Sequence, residues 1–511
     1  MATSSTDSLP RRLDARGGLH SVINGSEGDR TMTTHFRYFL IPLGLIGSWF
    51  LITSLWRNPG IFANSTFLGA LIVIEIVVGC LWRFEKIFFL ATMGCFLLAG
   101  TNLPFSVESF AIRWLFLAFG ALVGFTLWMR IDRTEHFGSF HLVALFCLFA
   151  ATASASASEA PRTALLKVLS LFLLLLYSAT GARAALVSRP GQFVGSIVLS
   201  CELLVFGVAA SYFAGFDLFG NPNNLGAFVG VVAMPIMLWS VLTAERRTQR
   251  QHRSVALALC GFLLYVSVCR AGIVSSAVVI VGLAFGLRRP GLVLKTAFCA
   301  ALFLEFMAVA SPSHMSELMD SLNARFIFKV QSIGGRPGVI GSRETPWEDT
   351  IAAVKHHPWF GTGFGTSDLR GAGSVGPSPI YSVEGSNREH GSSYLAMAEY
   401  MGILGAAPFL LLLLFLIRAA TRVYRWMRTT GDVHHYAVPF AMVVVAGLIH
   451  ACFEDWLFAV GSYLCVFFWV SAFLLIDLTS TNLARRMAPL FVETAPTETF
   501  QRHVHVRIVD M

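Results

Sequence analysis

Long apolar runs separated by short polar segments recur along this chain from residue 38 to 311 and again from 393 to 476. Most are apolar all the way round a helix, with no polar stripe, which is the signature of a helix buried in lipid or in a membrane bundle. At 1.5 Å per residue, about 20 apolar residues cross a hydrocarbon core of about 30 Å. The pattern predicts about fourteen spans, at residues 38–56, 61–82, 87–103, 109–129, 138–156, 163–181, 191–213, 225–244, 254–269, 271–287, 292–311, 393–417, 436–453 and 456–476. The pair flanking Arg270 reads as two spans or as one interrupted helix. The fold class expected is an all-α polytopic integral membrane protein with one small, mostly helical cap inserted late in the chain.

Basic residues close to a span stay preferentially on the cytoplasmic side. The strongest basic connections are ERRTQRQHR (245–253), RRP with Lys295, RAATRVYRWMR (418–428) and ARRM (484–487). Alternating outward from these places both termini in the cytoplasm and the loops after residues 56, 103, 156, 213, 311 and 453 outside. The domain order expected is a disordered cytoplasmic tail (1–37), eleven helices (38–311), an external cap (312–392), three helices (393–476) and a second cytoplasmic tail (477–511).

Composition sharpens the class. The chain is 55% hydrophobic and 13% charged, with mean hydropathy +0.65, well outside the balance of soluble domains. A net charge of +8 fits topology and anionic lipid, and no basic and aromatic pattern of a nucleic-acid reader accompanies it. Membrane lipid is therefore an expected partner and nucleic acid is not. All nine cysteines fall in or beside apolar segments without a C-x-x-C pair, which argues for packing and against zinc or structural disulfides. The external loops hold no D-x-D, so no metal and no cofactor is expected.

The segment 312–392 is the one large extramembrane element. It holds SELMDSLNARFIFKV, a short amphipathic candidate, then a helix in which Trp347, Ile351, Ala352 and Val354 share a face before Pro358 stops it. The glycine-rich turn FGTGFGT follows, then a looser stretch, and the chain returns to lipid directly after Arg388, Glu389 and His390.

The order R-x-x-x-W, short helix, H-P-x-x-G-x-G, carried by Arg343, Trp347, His357, Pro358, Gly361 and Gly363, resembles the periplasmic loop of the O-antigen ligase and O-antigen polymerase superfamily. The returning helix SSYLAMAEYMGILG, FGNPNNLGAF (219–228) and VCRAGIVSS (268–276) resemble the same superfamily, over roughly residues 190–420. The resemblance implies a metal-independent, inverting glycosyltransferase of the bacterial inner membrane. It would move a glycan from undecaprenyl diphosphate to an acceptor hydroxyl of a lipid A-core or of another glycan at the periplasmic face.

Chemistry assigns roles within that resemblance. A diphosphate leaving group needs fixed cations near the membrane surface, and the planar guanidinium suits phosphate oxygens. Arg270, between two apolar runs, and Arg343 are the candidates; for Arg343 a salt bridge to Glu344, Glu348 or Asp349 is the structural alternative. The resemblance places a histidine base directly before the returning helix, where an ungapped alignment puts Gly391 and leaves His390 one residue early. His390 and Glu389 are therefore both candidate bases. Glu399 is a supporting residue expected to hold Arg270 or face the cavity. Asn221 and Asn223 are expected to cap a helix or touch sugar, and Trp347 supports the cap. His450, Glu454 and Asp455 cluster at the end of a span, with His450 and Glu454 on one helical face. Two other readings remain. One is a polysaccharide polymerase with the same donor; the other is a flippase or proton-coupled transporter using Glu75, Glu202 and Glu305, which lie inside apolar runs.

Overall fold

The computed structural model describes residues 85–103, 106–128, 138–291, 341–366 and 389–480, with isolated positions between 293 and 320. The expected spans 38–56 and 61–82, most of 292–311, the helix candidate SELMDSLNARFIFKV, most of the looser cap segment and the tails 1–37 and 481–511 lie outside the described residues.

Among the described residues all regular structure is helical. The helices are α1 (Glu85–Leu98), α2 (Ser106–Trp128), α3 (Ser139–Ser156), α4 (Pro161–Ala179), α5 (Gly181–Ser188), α6 (Pro190–Phe213) and α7 (Pro222–Leu242). They continue with α8 (Arg247–Ser267), α9 (Arg270–Gly286), α10 (Gly341–His356), α11 (Ser393–Thr430), α12 (Ala437–His450) and α13 (Tyr463–Thr479). Five continuous helical stretches are long and apolar enough to cross a membrane: α3, α4 with α5, α6, α7 and α11. Shorter apolar helices are α9, α12, α13 and residues 112–125 of α2.

Local sequence explains many boundaries. α4, α6 and α7 each begin with proline, whose missing N–H costs nothing in a first turn. α11 stops at Gly431 in the left-handed conformation. Val268 at φ 53° and extended Cys269 separate α8 from α9. The two helices pack on α7 separately, so they are two elements with Arg270 at the turn.

The loops sort to two ends of the bundle. At one end Asn102 donates its backbone N–H to Leu218 at 2.8 Å, Tyr463 donates its hydroxyl to the Asn224 carbonyl at 2.8 Å, and Ser393 donates its N–H to the Ala451 carbonyl at 2.9 Å. At the other end Trp239 donates to the Val433 carbonyl at 2.7 Å, and Arg253 donates to the Ser240 carbonyl at 3.0 Å. Among the described residues the connections after 103, 213 and 453 thus share one end, and the basic connection 245–253 shares the other with the turn before α12.

Two charges missed in the apolar pattern are buried here. Arg183 of α5 pairs with Asp477 of α13 at 3.1 Å. Arg113 of α2 donates to the Gly461 carbonyl at 2.6 Å and lies over the Phe96 and Trp114 rings. Paired or carbonyl-bound, such cations are tolerable in a low-dielectric interior.

The feature that shapes the site is a break in α11. At Gly402 the backbone turns to φ 63°, ψ −173°, outside helical space. A Cβ there would stand 2.3 Å from the Trp359 carbonyl carbon, so only glycine fits. The break frees backbone groups that lipid could not satisfy, and the turn after α10 takes them up. Thr362 and Gly363 donate to the Glu399 and Tyr400 carbonyls at 2.9 and 3.0 Å, while Ile403 and Leu404 donate to the Pro358 and Trp359 carbonyls at 2.8 and 3.3 Å. The H-P-x-x-G-x-G segment is thereby spliced into a broken helix.

Candidate active site

The site gathers where α10, the start of α11 and the turn after α12 meet. The helix α10 forms as its sequence predicts, but its buried positions are Thr350 and Ala353, with Ile351 exposed. Thr350 can be buried because its hydroxyl donates to the Pro346 carbonyl at 2.6 Å. Trp347 from the same helix donates to the Gly391 carbonyl at 3.0 Å and so fixes the approach to α11. Gly391 has φ 67°, which a histidine would adopt only with strain. The imidazole accordingly stands one residue earlier, at His390.

His390 is 1% exposed and Glu399 is 0% exposed. The His390 Nδ1 lies 2.5 Å from Asp455 Oδ2 and its Nε2 lies 3.4 Å from Glu399 Oε2. The Tyr400 ring meets the imidazole edge-on at 5.0 Å. Burial alone would lower the proton affinity of His390, but hydrogen bonds and charge from Asp455 and Glu399 outweigh it and push its pKa up to about 9.

Beside this pair, Arg343 donates to the carboxylates of both Glu389 and Glu454. Two consecutive residues before α11, Glu389 and His390, therefore face two consecutive residues after α12, Glu454 and Asp455. Arg343 bridges the first pair and a direct contact joins the second. Ser393 locks the register. Its hydroxyl donates to the Glu454 carbonyl at 2.7 Å and accepts from the Trp456 and Leu457 N–H groups at 3.1 Å each. This turn begins where α12 ends, at His450, so Glu454 and Asp455 stand off the helix. The expected shared helical face of His450 and Glu454 is thus replaced by a pinned turn.

Arg270 begins α9, half-buried, close enough to feel the Arg343 charge. Asn221 caps α7 by accepting from the Asn223 N–H at 2.9 Å, the structural option foreseen for this pair. Glu399 lies beside His390.

Sequence reasoning passed over Lys167. It enters from α4, donates to the Gly365 carbonyl and acts electrostatically with Asp455. The available signal was a lysine inside an apolar run, to which the rule for intramembrane charges applies as it does to glutamates. Of the three glutamates in apolar runs, Glu75 is outside the described residues, Glu305 is exposed, and half-buried Glu202 lines a cavity of about 210 Å³ with Gln249, His252 and Arg253. Among the described residues no three acidic, histidine or cysteine side chains are grouped to hold a metal.

Helices long and apolar enough to span a membrane, with a largely buried cluster of charged and imidazole side chains at one end of the bundle, define a polytopic membrane protein with a polar site at that end. Residues 255–410 match the O-antigen ligase family model, which supports the resemblance to the O-antigen ligase and polymerase superfamily. That stretch includes Arg270, Arg343, Trp347, Glu389, His390 and Glu399, whereas Glu454 and Asp455 fall beyond it. No curated protein matches the chain.

Proposed function

We propose that this protein is an O-antigen ligase-like glycosyltransferase. It takes a glycan from undecaprenyl diphosphate and transfers it, without metal and with inversion, to an acceptor hydroxyl at the periplasmic face of the bacterial inner membrane. The observation that carries the reading is the imidazole of His390 held between Asp455 and Glu399, with the Arg343 guanidinium on the adjoining carboxylates Glu389 and Glu454. A base and a cation side by side are what the reaction needs, because the acceptor loses a proton while the diphosphate gains charge.

In this reading Arg343 and Arg270 hold the diphosphate. The Glu389 carboxylate, whose side chain is 56% exposed, occupies Arg343 until phosphate displaces it, while the less exposed Glu454 stays in place. Asp455 orients His390 through Nδ1. The acceptor oxygen then gives its proton to Nε2 and forms a bond to the anomeric carbon. The bond from that carbon to the phosphate oxygen breaks, and its electron pair leaves with the diphosphate. With its pKa raised to about 9, the neutral base form of His390 is a minor species at pH 7 that alkaline pH enriches. Glu389, engaged with Arg343, is less suited to the same task.

The test is transfer by purified protein in liposomes, from a glycan-loaded undecaprenyl diphosphate, with excess chelator present. Glycan on a lipid A-core acceptor is the expected product. Lengthened lipid-linked glycan would make the protein a polymerase with the same donor. Movement of intact donor between leaflets without bond cleavage would replace both with transport.

A further inference from the structure

We propose that His450 is a further ligand for the donor's phosphate oxygens, a neutral N–H donor at the start of the turn that carries Glu454, the partner of Arg343. The inference rests on the transferase reading above for the identity of the ligand, but its geometry stands apart from that reading. His450 is 1% exposed at the end of α12. Trp456 Nε1 donates to its Nδ1 at 2.9 Å. An indole nitrogen only donates, so Nδ1 carries no proton, the ring is neutral and its one N–H is at Nε2.

That Nε2 is buried and has no hydrogen-bond partner among the described residues. A buried donor without an acceptor is costly, and native interiors seldom keep one unless something else supplies the acceptor. The ring belongs to the turn pinned by Ser393, which also carries Glu454, the partner of Arg343. The Arg343 charge acts on His450 directly. A ligand oxygen drawn to Arg343 therefore comes to the neighbourhood where this N–H lacks an acceptor. An anionic phosphate oxygen fits better than a carbonyl or hydroxyl, because the neighbouring guanidinium selects for negative charge. A neutral donor adds a contact without adding repulsion to the Arg270 and Arg343 pair.

Two amides separate this role from a structural one. His450→Asn keeps an acceptor at the depth of Nδ1 for Trp456 and removes the Nε2 donor. His450→Gln places an amide N–H near the Nε2 position and loses the Nδ1 acceptor. The probes are inorganic pyrophosphate and undecaprenyl diphosphate, titrated against the full chain in nanodiscs, with transfer kinetics in parallel. His450→Asn is expected to weaken both probes and raise the donor KM about 10- to 100-fold with Tm close to wild type; His450→Gln is expected to retain most of the affinity.

The reverse order, or unchanged probe affinity in His450→Asn, overturns the proposal and leaves His450 as an anchor for Trp456. A raised acceptor KM with unchanged probe binding overturns the donor assignment in the same way. Should both variants fail to fold, a structure of the wild-type protein with undecaprenyl diphosphate decides. A phosphate oxygen within 3.2 Å of Nε2, about the limit for such a bond, supports the proposal, and an oxygen elsewhere ends it. If wild type binds both probes through His450 yet transfers no glycan, the transferase reading fails and the anion site stands.

Discussion

The His390 Nδ1 lies 2.5 Å from Asp455 Oδ2 across 65 residues of chain. The contact joins the last turn before α11 to the first turn after α12, and it does two things to the imidazole. It fixes which nitrogen faces Glu399, and it adds to the proton affinity that burial would otherwise reduce.

Asp455→Asn is expected to lower transfer at pH 7 by about 100-fold or more while leaving donor affinity near wild type. An amide can accept from Nδ1–H but can also present its own N–H, so the orienting charge is lost and the ring can flip. A kcat loss with unchanged donor KM is the outcome to look for in steady-state assays. A loss confined to donor KM would place Asp455 in binding.

Wild-type transfer is expected to rise about tenfold per pH unit below pH 9 and level off above it, because the base is His390 without its second proton. Glu399→Gln removes one of the groups that raise the His390 pKa, so its plateau is expected at lower pH. A flat profile between pH 6 and 9 in a donor-saturated assay would exclude His390 as the base.

Stability is expected to move the opposite way. The folded-state pKa of His390 is raised from an ordinary value near 6.5 to about 9, so protonation favours the folded form. That contribution is fully present below about pH 6.5 and is lost as pH rises through 9. Thermal unfolding in detergent should therefore show Tm falling over this window, with a shallower fall in His390→Gln. Equal slopes for the two proteins would show that the coupling to Asp455 and Glu399 does not stabilise the fold.

Glu389→Gln is expected to retain transfer and to lower the donor KM a few-fold, since it removes the exposed carboxylate competing with phosphate for Arg343. Arg343→Ala is expected to raise the donor KM by about 100-fold, a scale set by charge-assisted hydrogen bonds of about 1.5–3 kcal/mol each. Donor titrations on both variants check the pair. Abolished transfer in Glu389→Gln with normal donor binding would move the base to residue 389.

Gly402→Ala is expected to destabilise the protein by more than about 2 kcal/mol. It adds a Cβ to a residue at φ 63° that faces the Trp359 and Phe360 backbone at 2.3–2.6 Å. The same change at Gly94, where nothing lies within 4 Å, is the control and should leave Tm close to wild type or raise it. Comparing the two melting curves tests whether the spliced break supports the bundle.

The sequence by itself determined that the chain is helical and built for a membrane, because a helix satisfies its own backbone and apolar runs of membrane length need no partner to be recognised. It also placed α10 and its stop at Pro358, and it singled out Arg270, Arg343, Glu389, His390 and Glu399 as chemically unusual in their surroundings. Charge, glycine and proline are local signals, and these positions carry them.

What only the tertiary structure decided is pairing. No local rule says that Arg343 joins Glu389 to Glu454, that Glu399 faces His390, or that Asp455 completes the imidazole's surroundings. Those contacts depend on a turn held by Ser393 and on a helix broken at Gly402, and each reflects hydrogen bonds between segments far apart in the chain. Lys167, Arg113 and Arg183 were hidden for the same reason. A cation inside an apolar run is a question in the sequence, and its answer is the carbonyl or carboxylate that folding brings to it.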